Sequence, residues 1–359
     1  MKIATILGTR PEIIRLSRII PKLDQLAQKH IVIHTGQNFT RELSGVFFQS
    51  LKIRQPDYQL FHKQLSFGEQ LSEMFSSLEG ILEKEKPDRI LVLGDTNSGL
   101  SSILAERMNI PVFHMEAGNR CYDLAVPEEK NRKIIDAAST CNLPYTAQSR
   151  ENLLREGCHT KDIHVIGNPI KEVLDYYRKD ISNSGILKEL GLKQKDYLLA
   201  TIHRSENVDQ QEHLQEIFEG LNLTAESQNK RLICSIHPRT KSRLDQAGIK
   251  LHPLVEFYKP FSFFDFVHLE QRAACVLTDS GTVQEECCLF HVPAVTVRKT
   301  TERPETIACG SNILSGINKD RIADCTKYMM SLPPDWEVPA EYLRVNVSDT
   351  VIKILLGGH

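Results

Sequence analysis

Residues 2–16 read KIATILGTRPEIIRL, and this stretch decides the fold. A short apolar run with β-branched residues ends at Gly8; Pro11, a residue suited to a first helical turn, follows, and apolar residues then recur at helical spacing. Strand, tight turn and helix in that order form half of a βαβ unit. The same grammar repeats outward from it. Strands are expected at 2–7, 31–35, 89–93, 112–115, 142–145 and 163–166, with one helix over 11–27 and another running through Phe47. Strands separated by helix-length segments imply right-handed crossovers and a parallel sheet. After Gly167-Asn168-Pro169 the pattern lapses, and it restarts with strands expected at 197–202, 232–236, 255–257, 275–278 and 294–297. The expected fold is therefore α/β, with two Rossmann-like doubly wound parallel-sheet domains. The first covers 1–170, a helical link 171–195, the second 196–339, and an amphipathic helix at about 340–356 is expected to return to the first domain.

Composition fits this reading. With 359 residues, 41% hydrophobic and 25% charged, the chain is long enough for two cores. The 44 basic and 46 acidic residues nearly cancel, which disfavours a nucleic-acid partner. Nine cysteines include no CxxC pair and no zinc-ligand spacing, so they read as small buried apolar residues of a reducing compartment. The start MKIATILG runs straight into a strand, and no apolar run approaches a bilayer span. A cytoplasmic protein with no membrane partner is expected.

In doubly wound sheets the ligand sits beyond the carboxyl ends of the strands. The residues there are Gly8-Thr9-Arg10-Pro11-Glu12, Gly36-Gln37-Asn38, Gly94-Asp95-Thr96-Asn97, Glu116-Ala117-Gly118-Asn119-Arg120, His203-Arg204-Ser205-Glu206-Asn207, His237-Pro238-Arg239 and Asp279-Ser280-Gly281. Each alone has a structural explanation; so many strand ends bearing glycine, acid, base or imidazole do not. Asp279-Ser280-Gly281-Thr282 opens a helix whose free N–H groups would hold a phosphate, with Gly281 allowing close approach. The alternative is a plain N-cap with a capping-box glutamate. An acid one or two turns in, Glu285 or Glu286, could accept both hydroxyls of a ribose. Glu128 and Arg132 share a helical face at i,i+4, where a surface salt bridge is the bland account. His203, at a strand end, is a candidate acid, base or phosphate donor. His237 is weaker, since Pro238 makes turn-capping an equal explanation.

The motifs GTRPEIIRLS, HTGQN, GDTNS, HMEAGNR, PEEKNR, HRSEN, HPRT, DSGTVQEE and RKTTERPE, in this order over nearly the whole chain, resemble those of the non-hydrolysing UDP-N-acetylglucosamine 2-epimerases. The version HMEAGNRCYD with VPEEKNRK is similar to a subgroup that also holds epimerases forming UDP-N-acetyl-L-fucosamine. The resemblance implies a GT-B-like arrangement with the active site between the domains, a homodimer, and interconversion of UDP-N-acetylglucosamine and UDP-N-acetylmannosamine without metal or redox cofactor. In that family UDP leaves C1 as C2 loses its proton, and a 2-acetamidoglucal is reprotonated on the other face. Carried onto this chain, the resemblance makes Asp95, Glu116 and Glu128 the acid and base carboxylates, His203 the active-site histidine, and Arg10, Arg132 and Arg303 the cations around the diphosphate. Ser280, Gly281, Glu286 and His237 fall in the UDP site. Arg15 stands where most members have lysine, a change that suits phosphate contact better than proton transfer. KIIDAAST lacks the histidine that relatives have after the aspartate, and HRSEN replaces the commoner HREEN; both changes bear on which sugar is used. A GT-B glycosyltransferase would share the UDP site without needing clustered carboxylates, and a hydrolysing epimerase would release free sugar and UDP.

Overall fold

The computed structural model describes residues 1–37, 41–60, 65–236 and 238–357. The chain divides into two compact units, Met1–Val173 with Glu341–His359, and Leu174–Ala340. The first unit holds a six-stranded sheet, β1 (Lys2–Leu7), β2 (Lys29–His34), β3 (Tyr58–Gln59), β4 (Arg89–Leu93), β5 (Val112–Met115) and β6 (Cys141–Leu143), in the order β3-β2-β1-β4-β5-β6. All its pairings are parallel. The second unit holds β7 (Tyr197–Thr201), β8 (Arg231–Ser235), β9 (Val255–Tyr258), β10 (Cys275–Thr278), β11 (Ala294–Thr296) and β12 (Asn312–Leu314), in the order β12-β11-β10-β7-β8-β9. Its pairings are parallel too. Counted from the first strand of each unit, the two orders are identical. Each reverses direction beside its first strand, between β1 and β4 and between β7 and β10, and at such a switch point the crossover helices part and leave a crevice.

The strands are mainly apolar and buried, as befits parallel sheets covered by helices on both faces. Ile3, Ile6 and Leu7 of β1 and Leu198, Leu199 and Ala200 of β7 are fully buried. In the second unit opposite faces of β7 feed separate cores, Leu198 and Ala200 packing with Phe218 and Ile322, and Tyr197 and Leu199 with Leu269 and Cys287.

Several expectations change. The helix expected over 11–27 is two, Arg10–Leu16 and Ile20–Leu26. Pro21 explains the break: it has no N–H to give residue 17, and its ring would strike that residue's carbonyl. The strand expected at 163–166 is a single bridge between Asn142 and Ile163. β3 and β12 were not expected, being too short to show a period of two. The stretch 171–195 forms short helices whose Tyr177, Ile181 and Ile186 are buried, and Ile181 O accepts from His268 Nδ1 at 2.7 Å. The C-terminal helix Val347–Leu356 docks on the first unit: Lys22 Nζ lies 2.6 Å from Asp349, and Arg89 donates to the carbonyls of Ile354 and Leu355 at 3.2 and 2.8 Å. Among the described residues no helix is long and apolar enough to cross a membrane.

Candidate active site

In the first unit the switch point is held by Glu12. Its carboxylate accepts from Gly8 N at 3.0 Å, Thr9 N and Thr9 Oγ1 at 2.7 Å, and Thr96 Oγ1 at 3.1 Å, so one side chain ties the end of β1 to the end of β4. Burial raises its pKa to about 7 against those hydrogen bonds, which pull it down. Gly8 admits no side chain, since a Cβ would lie 2.1 Å from Thr35 Oγ1 and 2.3 Å from Ser98 Oγ. Arg10, the first residue of the following helix, is exposed and lies over the Phe47 ring at 5.5 Å.

Two of the predicted carboxylates, Glu116 and Asp95, stand at strand ends of this sheet and each pairs with an arginine. Arg15, buried, pairs with Glu116 and lies over the Tyr145 ring at 5.6 Å. Glu116 has φ +66, and a neighbouring Gly118 at φ +78 cannot be replaced, because a Cβ there would meet Ser149 O at 2.2 Å. Asp136 sets this turn. Fully buried on the helix Pro127–Ala138, it lies 2.8 Å from His114 Nδ1 and 2.7 Å from the Arg120 guanidinium, and accepts from Gly118 N at 3.1 Å. Burial pushes its pKa up, but His114 and Arg120 outweigh it and the net shift is down. Asp95 pairs with Arg132, and Asn131 donates to Asp95 O at 3.0 Å. Arg132 is buried, so the surface-pair account of this helix falls; Glu129, also buried, is 2.7 Å away and accepts from the N–H groups of Cys121 and Tyr122. Glu128 stands one turn before Arg132, half-buried.

In the second unit Asp279 plays the part of Glu12. Fully buried after β10, it accepts from His203 N at 3.0 Å, Arg204 N at 2.9 Å and Asn207 Nδ2 at 3.1 Å, tying the end of β7 to the end of β10. Burial raises its pKa, but His203 and the N–H donors win and hold it at about 2. His203 Nδ1 lies 3.1 Å from Asp279 Oδ1, and with the histidine side chain 47% exposed the other ring nitrogen is left for solvent or a ligand. Ser280 is the N-cap of the helix Gly281–Phe290, yet its side chain makes no cap hydrogen bond. The capping-box alternative therefore fails. Glu285 is spent on a buried pair with Arg303, and Arg303 Cζ and Glu302 Oε1 lie 3.5 and 2.6 Å from where a Gly281 Cβ would be. Glu286 is buried beside Glu270, whose pKa is raised by burial first and then by the Glu286 charge. His237 lies outside the described residues.

The sequence motifs contain Glu12, Glu129, Asp136 and Asp279 without giving them a role, and Glu270 lies outside every motif. Their signal is an acid within a few residues of a strand end or facing one from a helix, and only the strand order shows which ends are adjacent. Among the described residues no group of three or more His, Cys, Asp or Glu is placed to hold a metal ion.

Guanidinium-paired carboxylates at one set of strand ends and an uncapped helix start beside a buried arginine at the other define a two-unit Rossmann-like α/β enzyme. Comparison narrows this. The family described as UDP-N-acetylglucosamine 2-epimerase matches residues 22–356, and the chain belongs to that isomerase family. It is 39% identical over 348 residues to the UDP-N-acetylglucosamine 2-epimerase of Methanocaldococcus jannaschii, covering 94% of this chain and 95% of that one. A crystal structure of the Methanocaldococcus jannaschii enzyme in complex with UDP-GlcNAc and UDP matches with a TM-score of 0.94 at 38% identity, over 100% of both chains. The UDP-2,3-diacetamido-2,3-dideoxy-D-glucuronate 2-epimerase of Pseudomonas aeruginosa is 35% identical over 333 residues, 91% of this chain and 92% of that one.

Proposed function

We propose that the protein interconverts UDP-N-acetylglucosamine and UDP-N-acetylmannosamine without hydrolysis. The observation that carries the reading is the pairing of Glu116 with Arg15 and of Asp95 with Arg132 at the ends of the adjacent strands β5 and β4. A weakly acidic C2 hydrogen needs a base on one face and an acid on the other, and the departing diphosphate needs positive charge; alternating carboxylate and guanidinium supplies both. Asp95, Glu116 and Glu128 exchange the C2 protons, with His203 beside the leaving group. Arg10, Arg15, Arg132 and Arg303 neutralise the diphosphate. Ser280 and Gly281 receive phosphate at the helix start, Glu286 accepts the ribose hydroxyls, and His237 joins the UDP contacts. UDP departs from C1 as C2 is deprotonated, the 2-acetamidoglucal stays bound, and UDP adds back after protonation on the opposite face.

Incubation with UDP-N-acetylglucosamine in heavy water tests this. Deuterium at C2 of both epimers, with UDP retained in nucleotide sugar, is expected; free UDP with free sugar would instead mean hydrolysis, and dependence on an acceptor would mean transfer. The diacetamido relative favours a second substrate reading, a related UDP-2-acetamido sugar such as the precursor of UDP-N-acetyl-L-fucosamine, which a panel of UDP-sugars in the same assay separates. We further place the enzyme as a cytoplasmic homodimer of polysaccharide biosynthesis. The family resemblance and nine free thiols support that placement, and sedimentation of the purified chain tests the dimer.

A further inference from the structure

The nucleotide-binding helix Gly281–Phe290 carries two cysteines just beyond Glu286, and one of them meets a third cysteine from another element. Cys288 Sγ lies 3.7 Å from Cys309 Sγ. Cys288 is fully buried, whereas Cys309 is half-buried at the end of the helix Pro304–Ala308, between exposed Ala308 and Gly310. We propose that Cys309 is an oxidant-reactive thiol and Cys288 its resolving partner, and that a disulfide between them retunes nucleotide binding.

Chemistry separates Cys309 from the other thiols. Cys141 and Cys275 are pushed up to about 12 by burial and are inert. Cys309 is instead lowered to about 6, first by a hydrogen bond from Cys288, with burial opposing and the Ser311 hydroxyl at 3.3 Å assisting. A peroxide is a sufficient oxidant. The Cys309 thiolate attacks one peroxide oxygen, an S–O bond forms, the O–O bond breaks, and hydroxide leaves to give a sulfenic acid. Cys288 then attacks that sulfur, giving up its proton; the S–S bond forms and the second oxygen departs as water. Two thiols lose two electrons and one peroxide becomes two waters.

The bridge needs the sulfurs at about 2.05 Å, so the Cys309 turn must close on Cys288. Gly310, at φ +85, and the short helix before it are where the chain can give. The N-cap of that helix is Arg303, which pairs with Glu285 one turn before Cys288. Closing the bridge therefore moves Arg303 relative to the helix start at Gly281. This second half of the proposal rests on the UDP reading given above.

The test uses the full chain at pH 7, treated with hydrogen peroxide and digested without reduction. A peptide joining 288 to 309 is expected by mass spectrometry. It should be lost in C288S and C309S, kept in C287S, and reversed by dithiothreitol. Trp336, the single tryptophan, donates its indole N–H to Cys288 O at 3.0 Å and stacks on His291, so its fluorescence should change with bridging. UDP affinity by calorimetry should shift several-fold on oxidation and recover on reduction. A sulfinic acid at Cys309 without a bridge, or a bridge between other cysteines, would overturn the pair. A 288–309 bridge with unchanged UDP affinity would overturn the coupling. Reduced protein that binds no UDP would refute the nucleotide reading and leave the disulfide to stand or fall on its peptide.

Discussion

The two sheets have the same strand order and use an acid at the same place, yet they set its charge in opposite ways. Glu12 bridges β1 to β4 and is driven up to about 7 by burial; Asp279 bridges β7 to β10 and is held at about 2 by His203 and backbone N–H groups. Around them the units diverge further. The first meets its carboxylates with arginines, as in Glu116 with Arg15 and Asp95 with Arg132, and so keeps charged acids beside charged bases. The second sets a buried Arg303–Glu285 pair beside the start of the helix Gly281–Phe290, and there burial and the Glu286 charge raise the Glu270 pKa. A fold fixes where functional groups stand, and the partners around each group decide whether it moves protons or holds a ligand.

The division of labour is broken most directly by Asp95→Asn or Glu128→Gln. Either should lower turnover by roughly 10²–10⁴-fold, as removal of a proton-transfer group does, while UDP binds as before. Calorimetry with UDP beside steady-state rates decides this, and weakened UDP binding with normal turnover would place these acids on the wrong side of the comparison.

The opposite charge settings predict opposite pH dependence. Glu12 binds its proton more tightly in the folded chain, so the stability it contributes is fully present below 4.5 and is lost as pH rises through about 7. The size is about 3 kcal/mol. Asp279 works in reverse: its contribution, about 2 kcal/mol, is present above 3.8 and is lost as pH falls through about 2. Amide exchange of β1 and β7 across this range should show β1 loosening toward neutral pH and β7 toward acid. Glu12→Gln should abolish the first trend only, and a β1 trend that survives it belongs to another group.

Smaller still, Glu286→Ala should weaken UDP by about 1.5 kcal/mol, a little over tenfold, if a charged acceptor of ribose hydroxyls is lost. Unchanged affinity would leave Glu286 as a packing residue beside Glu270. The smallest effect is expected for Arg15→Lys. The charge beside Glu116 stays while the planar fork over Tyr145 goes, so turnover should fall by less than about tenfold. A far larger drop would show that the guanidinium shape itself is needed.

Much of this is legible in the sequence itself. KIATIL followed by GTRPE announces a strand, turn and helix start because each part obeys a local rule, and the carboxylates sit immediately after apolar runs. What escaped depends on adjacency. Asp136 lies more than a dozen residues beyond Gly118, and nothing in KIIDAAST says that its carboxylate faces back to the turn carrying Glu116. Glu270 looks like one more polar residue of an amphipathic helix until β10 and the helix Gly281–Phe290 bring Glu286 to it. Pro21 could have divided the first helix, but apolar spacing ran through it and masked the break.

The C-terminal helix has a consequence for how the chain is made. The first unit is discontinuous: its body ends at Val173, and the helix Val347–Leu356 that docks on it is synthesised after the whole second unit. During translation the second unit, one unbroken stretch, has all its strands available before the first unit receives its last helix. Until then the backbone carbonyls of Ile354 and Leu355 are missing partners for Arg89, and the surface around Lys22 stays uncovered. The order of completion in the nascent chain is thus the reverse of the order of the sequence.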